Sequence, residues 1–499
     1  MILSKANLNL ITKEDVIVPS ANIFELPEKV LQFGTGVLLR GLPDYFIDKA
    51  NRQGVFNGRV AVVKSTSGAT TEFDEQDSLY TLCVRGIENG QPVSQNIISS
   101  AISRVISAND DWNAILEIAK SKDLSIIVSN TTEVGIQLVN ESIDQNPPVS
   151  FPAKVLAVLH ERFKALGAIN SGLVIVATEL IPDNGKKLGS IVLELAKFNN
   201  LGDDFILWLQ NENKFCNSLV DRIVPGKPDA ATLANLQDEL GYTDNLLSMS
   251  EPYSLWAIEG GAKVAEALSF AKVDSGVVIA EDIEIYRELK VRLLNGTHTL
   301  SSGIAFLSGI DTVKKAMTNE QIKTYIEVLM RNEIGPAIPY QVTEEQTTAF
   351  AGTVKDRFAN PSIEHLWINI TFQYTMKMKI RILPLLLNHY KLFNNVPENI
   401  AFGFAAYLTF MKVANEKDGK YYGSYNGIDY LITDDSASYL NNILSSDSSD
   451  YPSAVLSDVD FWKTDLNSLP GFTQAVSEKY EAIAKIGIAD ALVKLNSSN

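Results

Sequence analysis

The sequence has few of the residues that build metal sites and disulfide frameworks. It contains four histidines and two cysteines among 499 residues. Cys83 and Cys216 form neither a zinc pattern nor a disulfide framework, which indicates a reducing compartment. Four histidines also argue against a metal site built from imidazoles. We therefore predict no metal centre.

The sequence also lacks an excess of basic residues and any long apolar run. Its net charge of −17 leaves no basic footprint for nucleic acid. Because the overall field repels anions, an anionic substrate would need local cations. No apolar run approaches the roughly 20 residues of a membrane span, and the first residues show no signal-peptide pattern. We expect a cytoplasmic protein with neither nucleic acid nor membrane as a partner; the oligomeric state stays open.

Two patterns of hydrophobic periodicity divide the chain. The first 280 or so residues alternate short β-branched runs with amphipathic helices, and long helical periods follow from about residue 284. We predict an α/β fold with an N-terminal Rossmann-like dinucleotide-binding domain (1–283) and a C-terminal, mainly α-helical domain (284–499). The expected strands are 29–33, 59–63, 124–128, 173–177 and 276–279, and the expected helices are 284–307, 319–332, 343–358, 363–387 (interrupted near Pro384), 399–413 and 473–495, with loops at 415–426 and 445–453.

A glycine turn follows the first predicted strand. Gly34-Thr35-Gly36 opens a helix that we expect to reach about Lys49. In a dinucleotide fold the first glycine makes the turn, and the second lets the backbone approach the pyrophosphate. Leu39 stands where a third glycine would be, so an ordinary strand–helix connection is the alternative.

Polar residues follow the next strands of the predicted sheet. Lys64 ends the second strand, where no carboxylate is present to bind a ribose, so the residues leave NAD and NADP open. Asn130, Thr131 and Glu133 follow the third strand, and Glu179 follows the fourth. A doubly wound sheet places ligands at these ends, although a polar turn is the simpler alternative.

The chemistry is concentrated in the segment that contains Lys290, Asn295 and His298. At about 100° per residue, the three side chains of a helix fall near 0°, 140° and 80°, on one broad face. An amine can transfer a proton, an amide can hold an oxyanion, and an imidazole can orient either group. The set suits redox chemistry at a C–OH/C=O carbon without a metal.

Further cations lie in the helical half. The candidates are Arg357 with His365, and the run that contains Lys377, Lys379 and Arg381. Such a run is usually a solvated face, but an acidic protein with an anionic ligand would need a cluster of this kind. Earlier in the chain, Asp221-Arg222 places an acid beside a base in an apolar setting, where an internal ion pair is the alternative.

In this order, the motifs resemble the mannitol dehydrogenase family, the polyol-specific long-chain dehydrogenases. They span roughly residues 29 to 384. The matching residues are Phe33-Gly34-x-Gly36-x-x-x-Arg40, Gln76-Asp77-x-Leu79-Tyr80-Thr81, Thr131-x-Glu133-x-Gly135, Val220-Asp221-Arg222-Ile223, Lys290-x-x-x-x-Asn295-x-x-His298 and Arg357-Phe358-x-Asn360-Pro361.

The resemblance implies NAD-dependent, zinc-independent and reversible reduction of the keto group of D-tagaturonate to D-altronate, a step of hexuronate catabolism. The alternatives are fructuronate or another polyol-type substrate of the family, a nucleotide-binding sensor that has lost catalysis, and a metal-dependent lyase or isomerase. The predicted site comprises catalytic Lys290, Asn295 and His298; cofactor-binding Phe33, Gly34, Thr35, Gly36, Arg40, Lys64, Asn130, Thr131 and Glu133; and Glu179, Asp221, Lys377 and His365 for a small sugar-acid substrate.

One departure from the family pattern concerns the oxyanion. Polyol members carry Cys-Asp-Asn after the fourth strand, and that asparagine helps to hold the oxyanion. This chain has Thr178-Glu179-Leu180 instead. The resemblance therefore leaves Asn295 as the family's remaining oxyanion donor, and it indicates the uronate-specific subgroup. The group that binds the substrate carboxylate stays open.

Overall fold

The computed structural model describes residues 1–66, 68–132, 134–445 and 450–498 and divides into two compact units. Unit 1 comprises Met1–Gly86 and Pro92–Ile283, and unit 2 comprises Ile87–Gln91 and Glu284–Asn499. Unit 1 contains a parallel sheet flanked by helices, whereas unit 2 is mainly helical, which confirms the predicted fold class. No helix in the described part of the chain is both long and apolar enough to cross a membrane.

A six-stranded parallel sheet forms the centre of unit 1. Its strands, in spatial order, are Ile102–Ser107, Arg59–Lys64, Glu28–Phe33, Ile126–Ser129, Val174–Ala177 and Lys214–Cys216. Counted along the chain within this sheet, the order is 3-2-1-4-5-6, that of doubly wound dinucleotide folds. The strand Glu28–Phe33 pairs on one side with Arg59–Lys64 and on the other with Ile126–Ser129. The order of strands therefore reverses beside Glu28–Phe33, where such folds bind their ligands.

The strands of this sheet are buried on both faces, which explains their continuous apolar runs. Leu31 and Phe33 pack into one core cluster, with the helices Phe151–Leu166 and Asn184–Phe198. Val30, from the opposite face of the same strand, packs into a second cluster. The alternation follows from the two-residue period of a strand.

Unit 1 contains two smaller sheets, which the sequence did not predict in full. The strands of the first are Val16–Ile17, Gln91–Ser99, Tyr80–Glu88 and Ser248–Ser250, and those of the second are Ser218–Asp221, Leu255–Glu259 and Val277–Ala280. The helices are Lys5–Leu10, Ala21–Glu25, Val37–Gly41, Pro43–Arg52, Thr71–Glu75, Trp112–Ala119, Phe151–Leu166, Asn184–Phe198, Asp203–Asn211, Ala230–Leu240, Ala262–Ala267 and Ser269–Val273.

The helix after the glycine turn is not continuous to Lys49, as we had predicted. It ends at Gly41 and restarts at Pro43. Leu42, between them, has φ −134° and ψ −77°. The ring of a proline disfavours the helical conformation of the residue before it, so the break falls at Leu42.

Unit 2 is mainly helical and has one large apolar core, and three of its described helical segments are π-helical. The helical segments are Glu284–Leu289, Lys290–Gly296 (π), Thr297–Leu307, Val313–Ala316, Glu320–Val328, Leu329–Ile334 (π), Gly335–Ala337, Glu344–Phe358, Trp367–Ile370, Tyr374–Lys377, Met378–Ile382 (π), Leu383–Leu392, Glu398–Phe410, Ala437–Ser445, Tyr451–Leu456, Val459–Trp462, Leu466–Ser468, Phe472–Ile486 and Ile488–Ser498. π-helical turns are rare and occur often at functional sites.

The predicted helix 363–387 is wrong in its boundaries and in the position of its break. The chain is helical over Trp367–Ile370 and again from Tyr374 to Leu392, and Gln373 between them has φ 51°. Pro384 does not interrupt the second stretch, because it lies in the first turn of Leu383–Leu392, directly after the π segment Met378–Ile382. A proline is tolerated at the start of a helix.

The predicted loop 415–426 is instead a three-stranded antiparallel sheet with strands Asn415–Lys417, Lys420–Tyr425 and Ile428–Ile432. Its two turns are Asp418-Gly419 and Asn426-Gly427, and all four residues have positive φ between 50° and 79°. Asx-Gly pairs of this conformation make the tight turns of β-hairpins.

Two further predictions near the end of the chain need correction. The predicted loop 445–453 is helical from Tyr451 onward, and residues 446–449 lie outside the described residues. The predicted final helix 473–495 is divided at Gly487, whose φ of 83° ends one helix before the next begins.

Candidate active site

The glycine turn lies at the carboxyl end of the strand beside which the sheet order reverses. Gly34 has φ 125°, and a Cβ built on it would lie 3.0 Å from the carbonyl oxygen of Asn130. The Asn130 amide donates to the Phe33 carbonyl at 3.1 Å, so the loop after Ile126–Ser129 approaches the turn closely. A Cβ on Gly36 would meet no atom within 4 Å. The turn thus requires one glycine for its conformation and leaves open space at the other, a cradle that fits a dinucleotide phosphate.

Glu179 holds the loop beside this turn. Its buried carboxylate accepts hydrogen bonds from the Thr131 amide (2.9 Å), the Thr131 hydroxyl (2.9 Å) and the Ser129 hydroxyl (3.1 Å). The Asn130 side-chain amide donates to the Thr178 carbonyl and hydroxyl at 3.1 and 3.0 Å. The loops after two adjacent strands are therefore tied together at the edge where a ligand would bind. Glu179 was predicted to contact substrate; its hydrogen bonds are those of a loop-ordering residue, and a substrate contact stays a prediction.

Other predicted cofactor residues of unit 1 have internal partners. Lys64 donates to the carbonyls of Thr66 (3.0 Å) and Gly68 (2.8 Å), which closes the loop after its strand. Arg40 is buried, donates to the Leu246 carbonyl at 2.5 Å and lies over the Tyr80 ring, 5.3 Å from its centroid.

The contacts of Lys64 and Arg40 to a cofactor stay predictions, as does that of Thr35. Glu133 lies outside the described residues.

The motif Gln76-Asp77-x-Leu79-Tyr80-Thr81 builds a buried polar network rather than a ligand site. Asp244, which is fully buried, accepts from the Gln76 side chain at 2.8 Å and the Thr81 amide at 2.5 Å. Asp77 and Ser78 both have positive φ, 51° and 61°. The network holds the strained turn at Asp77 and Ser78 in place.

The Asp221-Arg222 pair lies at the end of the strand Ser218–Asp221, and both residues are buried. Arg222 donates to the carbonyls of Gly41 (2.7 Å) and Glu251 (3.0 Å), and its guanidinium lies 4.3 Å from the centroid of the Tyr45 ring. Arg222 therefore joins three elements of unit 1. The predicted substrate contact of Asp221 stays a prediction.

In unit 2, Lys290 and Asn295 lie at the two ends of a single π-helical turn. The segment Lys290–Gly296 is π-helical, so backbone hydrogen bonds join residues five apart. Residues i and i+5 are therefore close to one another along the helix axis, closer than the α-helical angle of about 140° predicts. The π turn therefore brings Lys290 and Asn295 to nearby faces of the helix.

His298 lies on the next turn, in an apolar and cationic environment. The residue is 9% exposed, and its ring stacks on that of Phe358 with centroids 4.1 Å apart. Nε2 is buried and has no hydrogen-bond partner among the described residues. Burial, followed by the charges of His365, Arg357, Arg381 and Lys377, holds the pKa of His298 well below its usual range. The lowered pKa favours the neutral imidazole, and its buried Nε2 has its hydrogen-bonding capacity unused among the described residues.

Cations from two further segments surround this helix. Lys377 donates to the Ile370 carbonyl at 2.8 Å, and burial together with the charge of Arg381 lowers its pKa to about 8. Arg381 donates to the Asn295 carbonyl at 3.4 Å and the Thr299 hydroxyl at 3.2 Å. Burial and the charge of Lys377 also lower the pKa of His365. The local concentration of positive charge contrasts with the acidity of the whole chain.

Arg292 fastens the two π segments to one another. Its guanidinium donates to the carbonyls of Ile380 (2.7 Å) and Arg381 (2.9 Å) and to the Glu288 carboxylate at 2.9 Å. Pro384 has no N–H for the Ile380 carbonyl four residues earlier, so Arg292 supplies a donor that the helix lacks. The segment with Arg381 is thereby held against the segment with Lys290.

Both units match domain profiles of one family. The Mannitol dehydrogenase Rossmann domain matches residues 28–272, and the Mannitol dehydrogenase C-terminal domain matches residues 282–484. The chain belongs to the mannitol dehydrogenase family. The predicted resemblance is confirmed, and the protein is an oxidoreductase of the polyol and sugar-acid dehydrogenase type.

Two curated relatives and one solved structure are similar to this chain over most of its length. The chain is 38% identical to an altronate oxidoreductase of Halalkalibacterium halodurans over 438 residues, 87% of this chain and 84% of the relative. It is 35% identical to that of Klebsiella pneumoniae over 478 residues, 94% and 97% of the two chains. The mannitol 2-dehydrogenase of Pseudomonas fluorescens, solved with NAD and D-mannitol, has a TM-score of 0.67 at 22% identity and full coverage of both chains. That structural similarity shows a shared fold.

The sequence did not single out the contact between Arg381 and the segment that contains Asn295. Arg381 was recognised only as part of a run of cations, because its hydrogen bonds to Asn295 and Thr299 join positions more than 80 residues apart. Leu180, which the sequence analysis singled out as a departure, is 62% exposed, and its side chain carries no hydrogen-bond donor. The spacing of Lys377 and Arg381 by one helical turn was the available signal.

Proposed function

We propose that the protein catalyses the NAD-dependent, zinc-independent and reversible reduction of D-tagaturonate to D-altronate. The observation that carries the proposal is the π-helical turn that contains both Lys290 and Asn295 and continues into the helix of His298, which several cations neighbour. Relatives that share more than a third of its residues over most of the chain are named altronate oxidoreductases, and both carboxylate and ketone of the keto acid would find suitable partners in unit 2.

Three residues of unit 2 carry out the proton chemistry. In the reductive direction the Lys290 ammonium donates a proton to the ketone oxygen, and in the oxidative direction the neutral amine removes the hydroxyl proton. The Asn295 side-chain amide makes no hydrogen bond to a described residue, so its N–H groups are free to donate to the developing oxyanion. Neutral His298, through Nε2, orients a substrate hydroxyl.

Unit 1 supplies the residues that hold the cofactor. Gly34 and Gly36 leave room for the pyrophosphate, and the loop containing Asn130 and Thr131 lies beside them, ordered by Glu179. When bound, the nicotinamide donates or accepts the hydride. The structural neighbour that was solved with NAD supports this cofactor, and the lack of a carboxylate after Arg59–Lys64 makes NADPH the comparison to run beside NADH.

The test follows NADH absorbance at 340 nm with D-tagaturonate, D-fructuronate, D-tagatose and D-fructose, with and without a chelator. We expect chelator-resistant oxidation of NADH that is fastest with D-tagaturonate. Faster turnover of D-fructuronate or a neutral ketose would refute the proposed substrate, and loss of activity in chelator would refute zinc independence. Binding of NADH without turnover of any substrate would favour the non-catalytic sensor.

The proposed acid–base role is tested with Lys290→Ala. We expect turnover to fall by roughly 10²–10⁴-fold, with NADH affinity unchanged. The matched control is Lys323→Ala, which removes an exposed lysine from the helix Glu320–Val328 of the same unit. Near-normal turnover by a folded Lys290→Ala enzyme would refute the assignment.

A further inference from the structure

Arg381 is a largely buried cation whose protein partners are both neutral. Its Nη1 donates to the Asn295 carbonyl and the Thr299 hydroxyl. No carboxylate among the described residues pairs with it, and burial lowers its pKa to about 10 without an opposing acidic neighbour. A charge withdrawn from water is costly unless an opposite charge accompanies it. The missing opposite charge is the first indication of an anionic ligand.

The surroundings of Arg381 strengthen this indication. Lys377, one helical turn earlier, is held by a neutral carbonyl. Asp434 is the acid whose charge opposes the lowering of the Lys377 pKa. Its two oxygens already accept hydrogen bonds from the amides of Thr375 (2.7 Å) and Ser436 (2.8 Å). The charged groups that shift the pKa of buried His298 all lower it, as positive charges do. The region is therefore electropositive within a protein of net charge −17.

The geometry of the guanidinium fits a carboxylate. Nη1 is occupied by the protein, whereas Nε and Nη2 make no hydrogen bond to a described residue. These two nitrogens form one edge of the guanidinium, with the parallel N–H groups that bind a carboxylate in bidentate fashion. Because Nη1 is bonded to the backbone of Asn295, this edge is held at a fixed position relative to the residue that meets the oxyanion.

We propose that Arg381, with Lys377 as a second cation, binds the substrate carboxylate and gives the enzyme its preference for sugar acids over neutral sugars. The inference rests on the proposed function, since it assigns a binding partner to the carboxylate of the proposed substrate. The substrate carboxylate would also supply the negative charge that the buried Arg381 side chain otherwise lacks.

The experiment compares D-tagaturonate with D-tagatose, in which CH₂OH replaces the carboxylate. Arg381→Met should raise KM for D-tagaturonate by roughly 100-fold and change kcat/KM for D-tagatose by less than about threefold. Arg381→Lys, which keeps the charge but loses the bidentate edge, should recover part of the loss. The control is Lys379→Met, from the same π segment, whose ammonium lies over the Phe461 ring at 3.6 Å and which should leave the preference unchanged.

The outcomes separate this inference from the proposed function. Equal losses on both substrates would show that Arg381 only supports the helix of Asn295 and would overturn the inference, as would an unchanged preference. If the wild-type enzyme uses D-fructuronate instead of D-tagaturonate, the proposed substrate is wrong. The inference is then tested by whether Arg381→Met lowers the preference for D-fructuronate over D-fructose, measured as the ratio of their kcat/KM values. A wild-type preference for neutral ketoses overturns both.

Discussion

Asp44 makes the stability of unit 1 dependent on pH near neutrality. It is fully buried in the helix Pro43–Arg52, and burial raises the pKa of its carboxyl from 3.8 to about 7. The Gln32 side chain donates to Asp44 at 3.3 Å and to the Gly34 carbonyl at 3.4 Å. One oxygen of Asp44 and the oxygen of Gln32 have no partner among the described residues. A proton on Asp44 removes a buried charge and supplies a donor where acceptors are in excess.

The magnitude follows from this shift. Because the pKa of the folded protein is raised, the associated stability is fully present below about pH 4 and is lost as the pH rises through about 7. The interval from 3.8 to about 7, at about 1.4 kcal/mol per pH unit, corresponds to roughly 4 kcal/mol. Between pH 5 and 8 the loss amounts to roughly 2–3 kcal/mol.

The perturbation is Asp44→Asn, which keeps the shape and cannot ionise. We expect the variant to gain roughly 2–3 kcal/mol over the wild type between pH 5 and 8. Hydrogen–deuterium exchange of peptides from Pro43–Arg52, compared at equal pH, measures the change locally, and the exposed Asp110→Asn serves as control. A difference between variant and wild type that stays constant over this range would refute the reasoning.

Four shorter predictions concern the two units. Glu179→Gln should weaken NADH binding about tenfold in a fluorescence titration, because it loses an acceptor of charged hydrogen bonds. Gly34→Ala should cost about 1–3 kcal/mol in thermal unfolding, whereas Gly36→Ala should weaken only NADH binding; equal effects would contradict the proposed cradle. Arg292→Met should lower the free energy of unfolding by about 2–3 kcal/mol, measured in urea, and unchanged stability would contradict its bridging role. KM for the keto acid should rise above about pH 8 as Lys377 loses its proton, and Lys377→Met should abolish that rise.

Much of the fold was predictable because its signals are local. The parallel strands of unit 1 are short apolar runs between turn residues, and all five predicted strands are present within about two residues. The helix 284–307 was also predicted in full. The strands Tyr80–Glu88 and Gln91–Ser99, which pair with one another, were missed, although Asn89-Gly90 between them has the positive φ angles of a hairpin turn.

The errors have particular physical causes. The segment 415–432 was read by composition, although Asp418-Gly419 and Asn426-Gly427 carry the hairpin signal. Pro384 was expected to break a helix, but it lies in the first turn of Leu383–Leu392, where a proline is tolerated. Arg292 donates to the Ile380 carbonyl, for which Pro384 has no N–H. The α-helical angle for Asn295 failed because residue identity alone does not predict where a π turn forms.

The site was predictable where its residues are close in sequence. Lys290, Asn295 and His298 share one segment, so their spacing indicated a common face. The cations around His298 come from segments some 60 to 85 residues later, and only the folded chain brings them together. Gly34 and Asn130 likewise meet through the pairing of two strands that nothing in their local sequence specifies.

The hydrogen bond from Arg292 to the Ile380 carbonyl couples position 292 to position 384, whose proline leaves that carbonyl without a backbone donor. With an alanine in place of Pro384, the backbone would supply its own N–H and the arginine would become partly redundant. The two substitutions should therefore be strongly epistatic, since Arg292→Met would be mild beside Pro384→Ala and severe without it. A sequence could accept the proline at low cost only after the arginine was present, which orders their acquisition. The effect of a substitution at Arg292 on stability can thus be predicted only when the residue at position 384 is known.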